Sequence, residues 1–588
     1  MREENYLKVR NISIYILMLF WLFMPIVMSC YDFIMGMTGS FTPQKEISDS
    51  WVYIKAIICN RVIFVSFGII TIGFLFVLLI FLHGKNFYIK SEKASYWFFL
   101  FSILLLWAVM STALSDNPIE QFIGSEVICD GLFTYFVYAA MFVIGCIFTK
   151  ERERRKIILF FTVIITYLSA IMLLQETRNS FIVYCFPTIK SSVFQNSNYF
   201  GYMLCISVIA LLGLYLYDDS VNKHFNIIYG ILYTLQLFTL LINKTFGSYL
   251  AVLVSLPICY LFYYWSGRRW KREIWIPIII FTVLSVWYFA FYSSDFQILM
   301  GDVNDIIIDP EAAGYAGSGR WALWMDSIER IKVRPIFGWG PEGFNEQGTF
   351  ATMGSPHNDV FQIAGYLGIP AVIIYYGAFL TLENHLYKHI KELSISTLIA
   401  SGMVVCYLIS ALFGHPVYNT TPYFWLFLGM ITVMNEQDTT CLQIVSIEND
   451  MEKKKIRTTV FAILFFLVFC FGIAAYRQSH GAEKTRENAD LLAMYNAELT
   501  TQLRIRSGTI EEGEYWYDVN DFALLPVTKD APEAYGEGTR NTGDGTKEFE
   551  EKYEISYQYD EAEDYTDKVI KVIVNPDTEE IIVKWVTP

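Results

Sequence analysis

About 13 stretches of roughly 20 apolar residues, joined by polar links, run through this chain of 588 residues. Segments of that length and character are stable where every backbone hydrogen bond is internal, as in a helix that crosses a bilayer. Their approximate cores are 11–30, 62–82, 96–114, 132–149, 157–174, 199–216, 227–243, 246–265, 274–292, 359–381, 394–413, 422–434 and 458–476. With 54% hydrophobic and 17% charged residues, the chain has too little polar material to cover a soluble globule of this size. The expectation is an all-α polytopic membrane protein of about 12–13 transmembrane helices, with the twelfth short and the seventh and eighth parted by a very tight turn. The first stretch exceeds a signal-peptide core of about 7–15 residues, and no small-x-small cleavage site follows it, so it reads as a retained anchor.

Lys and Arg in the links set the orientation. With the N-terminus cytoplasmic, Lys85, Lys90, Lys93, the run from Lys150 to Lys156, Arg268, Arg269, Lys271, Arg272, Lys453–Lys455 and Arg457 share the inner side. The links at 115–131 and 414–421 have neither Lys nor Arg. The link at 293–358 is the exception, since its cations fall outside, against the topological bias. An odd number of spans leaves the C-terminus outside as well. The division is then a membrane body over 1–476 and a small extracytoplasmic α+β domain over 477–588. That tail begins with a helical stretch near Ala482–Arg506, continues through a Gly-containing loop at 532–545, and reaches the alternating runs YEISYQY, KVIKVIV and EEIIVKW. The last two, around Asn-Pro-Asp-Thr, read as a hairpin.

The tail holds 25 acids and 12 bases, so it carries almost all of the net charge of −14 and the membrane body is close to neutral. No basic patch with interleaved aromatics exists, which excludes nucleic acid as a partner. The ten cysteines form no C-x-x-C pair and no metal-ligand spacing, so neither a metal nor a cofactor is expected. Cys129 and Cys185 both fall in outer links, where a disulfide between them is an option.

The polar, glycine-rich stretch from Gly317 to Gly368 holds the candidate chemistry. It contains Arg320, Arg330, Lys332, Arg334 and, just ahead of the tenth span, His357. A neutral imidazole can take a proton from a hydroxyl, and a guanidinium can clamp a diphosphate with several oriented donors. The bland readings are a helix-capping or interfacial histidine and solvated arginines, and Arg330, Lys332 and Arg334 fit those readings best. Of the three, Arg334 is the stronger candidate because Pro335 fixes the chain behind it. In PIFGWGPEGF (335–344), Gly338 and Gly340 would let backbone approach a ligand closely.

Arg320-Trp321 with Trp324, Pro335, Gly338-x-Gly340, Phe344, His357-Asn358 and Gly368 together resemble the O-antigen ligase and polymerase family of bacterial plasma-membrane proteins. DGLFTYFVY (130–138), VFQNSNYFGYM (193–203) and YFWLFLG (423–429) fit the same pattern in order, so the resemblance covers roughly 60–435 and leaves out the tail. It implies glycosyl transfer from a saccharide on a polyprenyl diphosphate to an acceptor hydroxyl, which a glycan, a lipid or a protein would bring. His357 would be the base or acceptor-orienting group, Arg320 and Arg334 would hold the diphosphate, and Gly338, Gly340 and Asn358 would support the loop. No metal would be needed, because guanidinium charge can stabilise the departing diphosphate. Where the family often carries Ser-Arg at the outer end of the seventh span, this chain has Asn243-Lys244-Thr245; Lys244 supplies the charge without the planar fork. Three residues after the motif glycine, Ala371 stands where Gly, Thr or Tyr is usual.

The competing class is a transporter or flippase of lipid-linked oligosaccharide, which tends to place ionisable groups near the bilayer midplane. The span cores here hold few charges, which favours the enzyme. A wall-anchored sensor working through its tail ranks third. Ligase and polymerase stay equally open.

Overall fold

The computed structural model describes residues 2–37, 61–77, 87–90, 95–125, 128–148, 150–177, 190–194, 196–217, 223–268, 272–292, 320–344, 355–432, 443–446, 450–506, 509–518, 523–527, 568–576 and 580–587. In chain order they form α1 (Arg2–Met37), α2 (Arg61–Val77), β1 (Phe87–Lys90), α3 (Ser95–Leu114), α4 (Pro118–Ile123), α5 (Leu132–Ile147), α6 (Glu151–Glu176), α7 (Ser197–Tyr217), α8 (Lys223–Asn243), α9 (Phe246–Trp265) and α10 (Ile276–Phe291). There follow α11 (Arg320–Val333), α12 (Asp359–Leu367), α13 (Ile369–Lys388), α14 (Ile395–Ala411), α15 (Thr421–Ile431), β2 (Gln443–Ser446) and α16 (Asp450–Arg506). Strands β3 (Gly513–Asp518), β4 (Ala523–Pro526), β5 (Val569–Asn575) and β6 (Glu580–Val586) close the chain.

The protein is a helical membrane protein. Among the described residues, 7 helices are long and apolar enough to cross a bilayer, and five more of the expected spans are apolar helices of 10–17 residues. Helix α7 is the axis of the bundle. Its entire apolar window is buried, and α6, α8, α9 and α14 pack around it. Helices α5 and α15 approach closely at Gly145 and Gly429, where a Cβ on either would run into the other helix's backbone carbonyl. Such small-residue contacts bring helices together where lipid supplies no hydrophobic drive.

One expected span is corrected. The stretch 359–381 is not a single helix but α12 and α13, broken at Gly368 (φ 87). Pro370 explains the break, because in a continuous helix it would have no N–H to give the Tyr366 carbonyl and its ring would clash there, whereas it is tolerated in the first turn of α13. The carbonyls freed at the end of α12 are satisfied from elsewhere. Trp339 N–H donates to Gly365 (2.9 Å), Gly340 N–H to Tyr366 (2.9 Å) and the Trp107 indole to Leu367 (2.8 Å). Ile369 N–H in turn donates to the Pro335 carbonyl (2.8 Å). The turn-rich segment 335–344 is therefore docked on the end of α12. The 293–358 link contains α11, so Arg330 and Lys332 are helix residues. Its parts at 293–319 and 345–354 lie outside the described residues.

The described residues divide into two compact units, one holding those up to 471 apart from 116–118, the other holding 116–118 and those from 472 onward. In the second, Ala493, Met494 and Ala497 of α16 share a core with Tyr517, Leu524, Ile570, Val572, Val574 and Val583. The antiparallel sheet runs β4-β3-β5-β6. The expected hairpin is β5–β6, closing with Asn575 opposite Glu580. Strands β3 and β4 and the short β1–β2 ladder were not anticipated, and YEISYQY (553–559) lies outside the described residues. Cys129 is buried. Cys185 lies outside the described residues.

Candidate functional site

Asn358 organises the site. Its side-chain oxygen accepts from Val360 N–H (2.9 Å) and Phe361 N–H (3.3 Å), capping α12, while its amide nitrogen donates to the Leu412 carbonyl (2.9 Å). An N-cap asparagine satisfies donors that a helix start otherwise leaves open. The capping role weighed for His357 thus belongs to its neighbour. The second bond of Asn358 ties the segment before α12 to the loop between α14 and α15.

That tie brings His357 against His415. Their Nδ1 atoms are 3.2 Å apart and the rings 5.0 Å centre to centre. The far nitrogen of His415, Nε2, lies 3.4 Å from the Tyr199 hydroxyl at the start of α7, with the two rings edge-to-face. His415 is buried. His357 adopts φ 50, in the left-handed region that costs a non-glycine residue about 1–3 kcal/mol. Burial, followed by the nearby Arg320 charge, lowers the His357 pKa to about 4. Burial, then His357 and Arg320, push His415 down as well. Both imidazoles are therefore neutral near pH 7.

Arg320 is the first residue of α11. Trp324, one turn on and on the same face, donates its indole N–H to the Pro356 carbonyl (3.0 Å) and rests near Phe361. This contact holds the start of α11 beside the histidine segment. The Arg320 guanidinium is largely withdrawn from water, which lowers its pKa from the usual arginine value, while Tyr202 of α7 acts in the opposite sense.

The other expected residues are distributed more widely. Lys244 occupies the α8–α9 turn with φ 61, and its Nζ lies 5.0 Å from the centre of the Tyr292 ring. The turn is anchored by Asn243, which donates to the Lys190 (2.6 Å) and Ser197 (3.1 Å) carbonyls, and Gly247 packs on Phe413, two residues before His415. Lys244 thus sits at the same end of the bundle as the histidine pair. Arg334 does not. It follows the 14-residue α11, about 20 Å along the axis from Arg320, and stacks over Trp339 at 4.1 Å. Arg330 pairs with Asp326 (2.9 Å) and Lys332 with Glu329 (2.6 Å), as residues on a solvated helix face do. Gly338 (φ 67) and Gly340 (φ 88) make the turns that dock 335–344 on α12. Among the described residues, no three His, Cys, Asp or Glu side chains gather as metal ligands would.

Two features escaped the sequence reading. His415 is one; the signal for it was a histidine in a cation-free link placed on the same side of the membrane as His357. The other is a buried clamp, in which the Glu342 carboxylate (φ 61) accepts from Ser125 N–H (2.7 Å) and from Asp130 N–H, and Asp130 accepts from Gln362 of α12 (2.9 Å). Burial pushes both carboxyl pKa values up, and for Asp130 the charge of Glu342 adds to the effect. The clamp joins the segment before α5 to the 335–344 turns and to α12.

Residues 231–376 match the family model described as O-antigen ligase. The match takes in Lys244, Arg320, Arg334 and His357 and stops short of His415. No curated protein matches the chain.

Proposed function

With the O-antigen ligase domain at residues 231–376 as premise, we propose that this protein transfers a saccharide from a polyprenyl-diphosphate donor to an acceptor hydroxyl on the outer face of a bacterial plasma membrane. The domain by itself carries the coarser statement: this is a membrane protein that ligates or polymerises surface polysaccharide. The finer reading rests on one observation, a histidine paired through Nδ1 with His415 and set near a guanidinium largely withdrawn from water.

In this reading His357 takes the proton of the acceptor hydroxyl as its oxygen attacks the anomeric carbon. The bond from that carbon to the diphosphate oxygen breaks, and the diphosphate leaves with the electron pair. Arg320 stabilises that charge with a planar fork whose electrostatic effect is stronger where water is scarce. Lys244 adds a point cation from the adjoining turn. Arg334, stacked on Trp339, serves better to fix the 335–344 turns than to hold the donor. Gly338, Gly340 and Asn358 hold those turns and the histidine segment in place. No metal enters the scheme. The Lys and Arg asymmetry supports a cytoplasmic N-terminus, a membrane body over 1–476 and an extracytoplasmic domain over 477–588.

The test is His357→Asn in a deletion strain at matched membrane levels, since Asn tolerates the left-handed backbone at this position. Loss of long surface glycan with donor accumulating on the outer leaflet is the expected result. Normal polymer removes His357 from the mechanism. Donor retained on the inner leaflet indicates a transporter instead.

A further inference from the structure

We propose that His415 is the positioning partner that fixes the tautomer of His357, holding its ring proton on Nδ1 and leaving Nε2 bare as the basic nitrogen. The inference rests on the transferase reading, which chooses between the two arrangements the geometry allows, while the spectra described below read the tautomer separately from it.

Two neutral imidazoles whose Nδ1 atoms are 3.2 Å apart share one proton, with one nitrogen donating and the other accepting. Only two arrangements satisfy the pair together with Tyr199, whose hydroxyl lies 3.4 Å from His415 Nε2. In the first, Tyr199 donates to His415 Nε2 and His415 Nδ1–H donates to His357 Nδ1. His357 then carries its proton on Nε2 and has no lone pair free. In the second, His357 Nδ1–H donates to His415 Nδ1, and His415 Nε2–H donates to the Tyr199 oxygen. His357 Nε2 is then bare. Only the second arrangement makes His357 a base, and there His415 does what an orienting carboxylate does for other catalytic histidines, without adding a negative charge.

The surroundings favour a neutral orienting group. The Arg320 charge acts on both imidazoles, so a carboxylate here would pair with the guanidinium and draw it away from the diphosphate. His415 is also held from several sides. Tyr199 meets its ring, Asn358 bonds the Leu412 carbonyl three residues earlier, and Gly414 packs so tightly on the Tyr202 hydroxyl that a Cβ there has no room. His415 lies beyond the residues matched by the family model.

The test compares the full-length protein with His415→Asn and His415→Leu. Asn places a carbonyl oxygen near the position of Nδ1 and can accept from His357, whereas Leu fills similar space without an acceptor. Nitrogen-15 spectra of histidine-labelled protein in bilayers, with His357→Asn subtracted to assign the ring, read the His357 tautomer directly and require no substrate. Conversion of lipid-linked oligosaccharide to long surface glycan, followed by pulse labelling in cells at matched membrane levels, reads the consequence. The expected result is a protonated Nδ1 and bare Nε2 in the unaltered protein and in His415→Asn, with glycan formation within about tenfold of normal. In His415→Leu the bias is lost and formation falls about 100-fold, the lower end of what general base catalysis contributes. A bare Nδ1 on His357, a tautomer unchanged in His415→Leu, or an Asn variant as inactive as Leu each overturns the proposal. Normal glycan formation in His357→Asn defeats the transferase reading instead, and the spectra still decide the role of His415.

Discussion

Replacing Asn358 by alanine removes two different interactions whose sizes can be worked out separately. The cap on α12, two bonds to Val360 and Phe361, contributes about 1 kcal/mol. The amide donor to Leu412 is in a buried setting, and its loss leaves a carbonyl without that partner at about 1–3 kcal/mol. Together the change costs about 2–4 kcal/mol, concentrated where the His357 segment meets the His415 loop. If only molecules with those segments aligned turn over, the lower figure corresponds to about a 30-fold loss of transfer, since each 1.36 kcal/mol is tenfold. Asn358→Asp separates the two terms. It keeps an oxygen for the cap, now with charge favoured at a helix start, but offers no donor to Leu412. Its stability should exceed that of the alanine variant by about 1 kcal/mol. Its activity should stay close to that of the alanine variant. Thermal unfolding of detergent-solubilised protein gives the first quantity, and pulse-labelled surface glycan at matched membrane levels the second. An alanine variant within about 0.5 kcal/mol of the unaltered protein and fully active would refute the idea that this residue joins the two histidine segments.

Four further outcomes are expected. The His357 pKa is lowered to about 4 from an ordinary value of about 6.5, so as pH falls the unfolded chain takes up the proton first; stability at this site is therefore full above about pH 6.5 and declines toward pH 4. Arg320→Gln should move the His357 titration upward, as measured by nitrogen-15 spectra, and an unmoved titration would remove Arg320 from its surroundings. Gly338→Ala should lower stability by about 2 kcal/mol or more, because φ is 67 and the added Cβ meets the backbone carbonyls of Gly365 and Tyr366. Gly377→Ala, with open space around it, should not, and thermal unfolding compares the two. Ile570→Ala empties a fully buried position in β5 at a cost of about 2–5 kcal/mol, which limited proteolysis of the full chain should register as faster cleavage within 513–586.

The spans were legible because a bilayer leaves a run of some 20 apolar residues few alternatives to a helix. The β5–β6 hairpin was legible for a comparable reason, since period-2 alternation on either side of Asn-Pro-Asp-Thr is a local signal. Strands β3 and β4 were not: β4 is only 4 residues long and pairs with β3 alone, and β3 in turn needs β5, far along the chain, to join the sheet. Pro370 was in plain view, yet the end of α12 at Gly368 is tolerable only because Trp107, Trp339 and Gly340 reach its carbonyls. Hydropathy, which treats 359–381 as one run, has no access to those partners.

The site divides along the same line. His357 and Arg320 stand out in sequence because polar groups in a glycine-rich link between spans are conspicuous, and Lys244 was singled out through the family resemblance alone. Arg334, the strongest of the three cations that read as solvated, is separated from Arg320 by the rise of α11. His415, 58 residues from His357, and the Glu342–Asp130 clamp, spanning 212, emerge only in three dimensions. Hydropathy and charge act along the chain and are written in its order, so the sequence by itself determined a helical membrane protein with a polar link between spans. Which side chains share a proton, and which carboxylates are buried, depend on contacts between segments far apart in that order, and those the tertiary structure alone decided.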